Sequence, residues 1–280
     1  MNLRRRRRRV SGHCRPGPPD GIQLKKVVGS CIIRQSGTAP INQYSAFLDR
    51  RRKRVNITAS ALEHIELRIA ERSLLLHPFY QAWTRGKLPR TALRDYARQY
   101  YHHVAAFPTY LSALHAHTED QRVRRHILAN LVDEEAGNPN HPDLWLQFAE
   151  SMGLCREEVT NAELWPETEN LIRTFRRICR EGSVAQGIAA LYAYESQIPK
   201  VAESKIGGLE KFYGLDTPDA LGYFRVHIEA DREHSRVERE LLESSLNTED
   251  ARNVTEAVDT ILNSLWDLLS GVCRRHDIEC

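Results

Sequence analysis

Apolar residues recur at three- and four-residue intervals from Ser60 almost to the C-terminus, and this helical spacing limits the available folds more than any other feature. Ser60-x-x-Glu63 forms a capping box at its start. The first apolar residues after the box follow at helical spacing: Leu62, Ile65, Ile69 and Leu76. No segment shows the sustained alternation that is typical of a strand, so the sequence predicts an all-α fold.

Prolines, glycines and capping residues divide this pattern into helices. In chain order, the first two predicted helices begin at Ser60 and at Pro89. The next four cover Glu119 to Glu135, His141 to Gly153, Pro166 to Arg180 and Ser183 to Tyr213. The seventh begins at Thr217-Pro218, and the eighth covers Asn247 to Cys273. We therefore predict one bundle of seven to eight helices, formed by a domain of residues 58–280.

Residues 1–57 differ in composition from this domain. They hold 15 Lys and Arg against two acids, whereas the rest of the chain holds 25 bases and 35 acids. We predict a disordered basic extension. It is either an arm that binds nucleic acid or a membrane surface, or a non-functional extension, for which an over-long gene start is one origin. The acidic domain argues against nucleic acid as the main ligand.

The sequence predicts a cytoplasmic protein. No run of 18 apolar residues is present, and no apolar segment with a cleavage site follows the basic N-terminus, which argues against a membrane span and a secretory signal. The six cysteines are scattered without a C-x-x-C pair, which favours reduced thiols.

The predicted seventh helix contains His227-x-x-x-Asp231-x-x-His234. These spacings place the three side chains on one face of a helix. Two imidazoles and a carboxylate together suit a first-row transition metal. The alternative is a solvated polar face, since further charged residues lie in the same stretch.

Three more candidate ligands lie elsewhere. Glu195 is surrounded in sequence by apolar and aromatic residues, so its carboxylate needs a metal, an arginine or a tyrosine as partner. Glu134 is predicted to face inward near the end of the third helix, where an acid opposes the helix dipole. His141 follows closely, as a ligand or as a capping residue of the next helix.

Together these residues supply three carboxylates and three imidazoles from four helix segments, as a two-metal site in a bundle core requires. Carboxylates can bridge two ions while imidazoles complete their coordination. The remaining helical histidines lack a matching carboxylate pattern and are predicted to be surface or packing residues: His102, His103, His115, His117 and His126.

The pattern Glu134-x6-His141, then Glu195, then His227-x3-Asp231-x2-His234 resembles that of the haem-oxygenase-like dimetal oxidases. Within that family it is most similar to the group that includes the chlamydial protein associating with death domains. The resemblance covers roughly residues 58 to 275. It implies a haem-oxygenase-like bundle related to the TenA proteins and the pyrroloquinoline-quinone synthase, which share the fold but lack this full ligand set.

The resemblance also implies roles for two further residues, Tyr80 and Lys205. His77-Pro78-Phe79-Tyr80 resembles a segment of the fold's first helix, with Tyr80 at the position of a reactive tyrosine. Lys205, on the same predicted helix as Glu195, matches a functional lysine. That group is implied to make p-aminobenzoate for folate, with its own tyrosine as the ring source and the lysine as the amine donor. Tyr194 and Tyr223 flank the predicted ligands, as hydrogen-bond donors, radical relays or packing residues.

The implied cofactors are two transition-metal ions, Fe/Fe or Fe/Mn, with dioxygen as co-substrate, a reductant as partner and a homodimer as the assembly. Two other functions remain open. A conventional oxidase acting on an external amine, amino acid or fatty acid would need the same ligands but not Tyr80. A non-enzymatic partner-binding protein would need neither.

Overall fold

The computed structural model of the protein describes residues 61–246 and 250–279. Within these residues no strand occurs, and the chain forms a bundle of α-helices. The helices in chain order are α1 (residues 61–71), α2 (Pro78–Trp83), α3 (Arg90–Ala116), α4 (Gln121–Glu135), α5 (His141–Ser151), α6 (Arg156–Thr160), α7 (Pro166–Glu181), α8 (Val184–Glu195), α9 (Ile198–Gly208), α10 (Pro218–Ser245) and α11 (Ala251–Arg275).

Local capping determines where these helices begin. The Asn140 side chain accepts a hydrogen bond from the Asp143 amide at the start of α5, and Thr217 does the same for Ala220 at the start of α10. Ser183 forms a reciprocal capping box with the residue three positions later. A π-helical turn over Leu209–Tyr213 ends at Gly214, whose φ of 66° is a left-handed conformation that glycine adopts without strain.

The long helices α3 and α10 form the centre of the bundle. Helix α10 contacts α4, α5, α8 and α9, and α3 contacts α4, α5, α7 and α11. Helix α11 closes the bundle against α7 and α8. The inward face of α3 carries a row of buried rings at alternating spacings of four and three residues: Tyr96, Tyr100, His103, Phe107 and Tyr110.

The predicted all-α bundle is confirmed, but two predicted helices are wrong in extent. The predicted helix from Ser183 to Tyr213 is two helices, because Pro199 lacks an amide hydrogen and its ring would clash with the carbonyl of Glu195. Lys205 therefore lies on a different helix from Glu195, whereas the sequence analysis placed both on one helix. The predicted first helix ends at residue 71, so Tyr80 lies on the separate helix α2, and Leu76 is 57% exposed in a 3-10 turn.

Some predictions lie outside the described residues. They are the disordered basic extension of residues 1–57, the capping residue Ser60 and the start of the last helix at Asn247. Among the helices that the structure describes, none combines the length and the apolar character that crossing a membrane requires.

Two adjacent glycines at the end of α9 provide a test of the packing. A Cβ added at Gly208 would lie 2.5 Å from Cδ1 of Trp83, whereas one added at Gly207 would meet no atom of the described residues within 4 Å. Gly208→Ala should therefore lower the free energy of unfolding by about 1–3 kcal/mol. Gly207→Ala should leave it unchanged or raise it by up to about 1 kcal/mol. Urea denaturation measures both, and equal effects would contradict the packing of α9 on α2.

Candidate metal centre

Helix α10 carries three of the predicted ligands on the side that faces the bundle interior. His227, Asp231 and His234 are each 5% exposed or less, because spacings of four and three residues return to the same helix face. The other three candidates lie at helix ends. Glu134 is the penultimate residue of α4, and Glu195 is the last residue of α8. His141 is the first residue of α5.

The structure brings these six residues together as two groups. Glu134, His141 and His227 form the first group, and Glu195, Asp231 and His234 form the second; in each, the candidate ligand atoms lie within 4.8 Å of one another. In the first group, His141 Nδ1 is 3.1 Å from Glu134 Oε2. In the second, His234 Nδ1 lies 3.6 Å from Asp231 Oδ1 and 3.7 Å from Glu195 Oε1.

Two histidines are held so that one ring nitrogen is available to each group. His227 Nδ1 lies 2.7 Å from the carbonyl oxygen of Tyr223, which can only accept, so Nδ1 carries the hydrogen and Nε2 is free. His234 Nε2 lies 3.1 Å from a carboxylate oxygen of Asp133, which leaves Nδ1 facing the second group. Such contacts fix the orientation of metal-binding histidines in proteins.

The electrostatics of the centre are dominated by burial. Burial raises the pKa of Glu134 and of Asp231, and together with His141 it lowers that of His227. Burial also opposes protonation of His234, but the carboxylates of Asp231 and Glu195 beside its Nδ1 raise its pKa to about 11. Several carboxylates thus face one another out of water, an arrangement that cations would stabilise.

The chemistry of the donors fits bound metal ions. Among the described residues, no hydrogen-bond donor contacts Glu195 Oε2 or Asp231 Oδ2, although both atoms are buried. Buried carboxylate oxygens without a partner are costly, and a cation removes that cost. Imidazole nitrogens mixed with carboxylate oxygens suit iron and its neighbours in the first transition row.

Three residues that the sequence analysis did not select complete the surroundings of Glu195. Asn130 Nδ2 donates to Glu195 Oε1 at 2.8 Å. Glu238, which is fully buried, also approaches Glu195, and its Oε1 lies 3.7 Å from His126 Nε2. The spacing carried a signal, because Glu238 follows His234 by four residues and extends the same stripe of α10.

Residues of both groups line one small cavity. Its volume is about 10 Å³, and its walls include Glu134, Glu195, His227 and Asp231. Tyr194 and Tyr223 lie in the same wall, next to the candidate ligands. A space of this size holds about one water-sized molecule.

Tyr80 and Lys205 lie together in an aromatic chamber, which is a group of rings that surround the lysine amine. Lys205 is 3% exposed, and its Nζ donates to the Tyr96 hydroxyl at 2.7 Å. The Tyr96 hydroxyl is 3.3 Å from that of Tyr80. Six ring centroids lie 5.0–6.0 Å from Lys205 Nζ, those of Tyr80, Trp83, Tyr96, Tyr100, Trp145 and Phe224.

A line of tyrosines joins this chamber to the small cavity. The rings of Tyr96 and Tyr100 are 5.1 Å apart, and the Tyr100 hydroxyl is 2.6 Å from that of Tyr194, which lines the cavity. The sequence analysis assigned no role in the site to Tyr96 or Tyr100. Their contacts with Tyr80 and Tyr194 cross between helices, so local spacing did not reveal them.

Comparison with known proteins connects this geometry to a family. Residues 94–266 match a haem-oxygenase-type family model described as "Iron-containing redox enzyme". The chain is 45% identical over 212 residues to a 4-aminobenzoate synthase of Chlamydia pneumoniae, an alignment that covers 76% of this chain and 94% of that protein. It is 44% identical to one of Nitrosomonas europaea, covering 78% and 92%.

Solved structures support the fold alone. A TenA homologue from Pseudomonas syringae superposes with a TM-score of 0.64 at 17% identity, covering 78% of this chain and 92% of that one. The similarity thus extends over nearly the whole of a haem-oxygenase-like bundle, as the sequence predicted.

The surroundings of Lys205 predict an unusual dependence of stability on pH. Burial lowers the pKa of Lys205 to about 7, although the ring faces favour its ammonium form. In the unfolded chain the pKa is about 10.5. Between these values the unfolded chain binds more protons, so the contribution of Lys205 to the free energy of unfolding should rise with pH.

Lys205→Met retains most of the side-chain volume and should remove this rise. The variant should then be more stable than the original chain at pH 7 by an amount on the order of a few kcal/mol, and the difference should shrink towards pH 10. Denaturant unfolding across this range measures both curves. A variant that is less stable at pH 7, with an unchanged pH dependence, would show that the rings keep the amine charged.

Proposed function

The chain belongs to the haem-oxygenase-like family of iron-containing redox enzymes, and from this premise we propose that it synthesises 4-aminobenzoate, also called p-aminobenzoate, from its own Tyr80. The observation that carries the proposal is the joint burial of Tyr80 and Lys205 in an aromatic chamber that adjoins the candidate metal centre. Four relatives that are 41–45% identical are named 4-aminobenzoate synthase.

We assign the metal-binding role to the two groups of the centre, Glu134, His141 and His227 on one side and Glu195, Asp231 and His234 on the other. Two iron ions, or one iron and one manganese ion, would supply the oxidising power by activating dioxygen with electrons from a reductant. The protein holds the donors in place through Tyr223, Asp133 and Asn130, and its bundle core excludes water from them.

The size of the cavity favours an internal substrate. About 10 Å³ beside the candidate ligands suits a molecule as small as dioxygen, whereas amino acids and fatty acids need far more space. A conventional oxidase acting on an external organic substrate therefore has less support from this geometry. A purely partner-binding protein has no use for the centre and does not fit a family of redox enzymes.

Tyr96 positions the two reacting side chains. Its hydroxyl accepts a hydrogen bond from Lys205 Nζ and also contacts the Tyr80 hydroxyl, so it holds the amine beside the ring. Burial lowers the pKa of Lys205 to about 7, which makes a large fraction of the amine neutral and nucleophilic at neutral pH. We propose that the Lys205 nitrogen bonds to the ring carbon of Tyr80 that carries the hydroxyl, which leaves as water, while the Cε–N bond of the lysine breaks. Dioxygen and the reductant would supply the redox balance of this transfer.

Tyr96, Tyr100 and Tyr194 provide a route by which an electron can leave Tyr80 towards the centre. Each neighbouring pair is in hydroxyl or ring contact along the line. Tyr223, whose ring centroid is 4.0 Å from that of His227, is an alternative last member. Since the ring is taken from the chain itself, each protein would act once.

Further expectations stay proposals. The product would serve folate biosynthesis, the enzyme would act in the cytoplasm, and the assembly would be a homodimer. Neither nucleic acid nor a membrane is expected as a partner.

The ligand assignment predicts the metal content of single variants. The loaded protein should bind about two ions per chain, and His227→Ala and Glu195→Gln should each reduce this to about one, because each substitution opens a coordination position in a different group. Metal analysis after anaerobic loading with iron measures the ratio. His117→Ala, at an exposed position outside the centre, serves as the control. If both variants still bind two ions, the assignment is wrong.

The source of the ring is tested by Tyr80→Phe. This variant removes the phenol but conserves nearly all the volume, so fold and metal content should persist while 4-aminobenzoate formation falls to background. Chromatography with mass spectrometry measures the product after exposure to dioxygen and a reductant. Tyr110→Phe is a matched control, since Tyr110 is equally buried and its hydroxyl has no hydrogen-bond partner among the described residues.

Isotope labelling makes the same test independent of mutation. When labelled tyrosine is incorporated into the protein, the label should appear in the product, and reacted chains should lose side-chain mass at position 80. Unlabelled product, or full yield from Tyr80→Phe, would leave the conventional oxidase as the better proposal.

A further inference from the structure

A cleft on the outer side of α7 contains four arginines of one helix stripe. Arg173, Arg176, Arg177 and Arg180 are exposed and line a cleft of about 740 Å³ between α7 and α3. Spacings of three and four residues place the guanidinium groups side by side. The opposite face of α7 packs into the core, so these side chains cannot turn inward.

Among the described residues, none of the four arginines forms an ion pair; Arg173 has only a hydrogen bond to the Asn170 side chain. Several other exposed arginines of the bundle are paired, among them Arg232, Arg236 and Arg239. Like charges at these spacings destabilise a helix, and the helix dipole favours only those cations that lie in its last turn. The stripe therefore favours an anionic ligand.

The shape and charge of the cleft indicate what class of anion it takes. Its apolar lining, called the floor, consists of Ala105, Ala106, Leu164 and Ile172, and its polar lining, called the rim, consists of His102, the four arginines, Glu169 and Glu181. With four positive and two negative groups, the rim suits a ligand with two or more negative charges. The volume lies in the range of small-molecule sites.

We propose that this cleft binds a small organic phosphate, with its phosphate or diphosphate group on the arginines and its apolar part on the floor. Guanidinium groups bind phosphate through two parallel hydrogen bonds, which makes arginine the preferred residue for such ligands. The basic segment of residues 1–57 has the wrong charge to fill the cleft, since it holds 15 Lys and Arg against two acids.

The site is separate from the candidate metal centre. The cleft lies against Ala105 and Ala106 on one side of α3, whereas Val104 and Phe107 of the same helix line the small cavity. Binding in the cleft therefore does not depend on the proposed synthesis of 4-aminobenzoate, and the two proposals can fail independently.

Titration calorimetry with the full chain tests the proposal, using adenosine diphosphate and inorganic pyrophosphate as probes. Arg176→Gln and Arg177→Gln should each weaken binding of adenosine diphosphate by about tenfold, as expected when one charge-assisted contact is lost. Arg125→Gln, which removes an exposed arginine of α4 that has no ion pair among the described residues, should leave the affinity unchanged. Adenosine diphosphate should bind more tightly than pyrophosphate, because only it contacts the floor.

Three outcomes would overturn the proposal. The first is absence of binding by both probes, and the second is an equal loss of affinity in Arg125→Gln, which would mean that attraction to net charge alone is at work. The third is binding of anionic phospholipid vesicles, sensitive to Arg176→Gln, without binding of the soluble diphosphate. All variants change exposed side chains, so circular dichroism melting should confirm an unchanged fold.

Discussion

The structure is organised around the burial of carboxylates in a helical core. Glu134, Glu195 and Asp231 lie among three histidines with almost no access to water, and Glu238 lies next to them. Isolated charges in such a place are very unfavourable. The buried carboxylates are stable only if cations, protons and hydrogen bonds offset the cost of removing them from water. Helices α4, α5, α8 and α10 are therefore placed so that their donor atoms meet at one point.

The sequence predicted the local part of this arrangement well. The row of candidate ligands on α10 follows from helical periodicity. The end of α4 and the start of α5 follow from the break at Gly137 to Pro139. Features that depend on contacts between helices were harder to predict from the sequence. The break at Pro199 was overlooked because the apolar pattern continues across it, and it moves Lys205 to a new helix. Glu238 extends a visible spacing, but its role depends on Glu195, which is distant in sequence.

The molecule separates two environments that the proposed reaction would need. One is a small cavity walled by acids and imidazoles, and the other is a chamber walled by rings around a single amine. Helix α3 lines both of them and joins them through Tyr96 and Tyr100. Among the described residues the buried amine of Lys205 has no carboxylate partner, and the buried carboxylates of the centre face one another; both arrangements cost stability. Such costs are typical of functional sites and rare in cores that serve packing alone.

The burial of Tyr80 bears on how often such a protein could act. Its ring is 2% exposed and packs against Phe79, Trp83 and Lys205. Removing a large aromatic ring from a core generally costs about 3–5 kcal/mol, because the surrounding side chains relax only partly into the space. Release of the ring as product would therefore weaken the packing around α2. Single use follows from the packing as much as from the chemistry, since the part consumed is also part of the core.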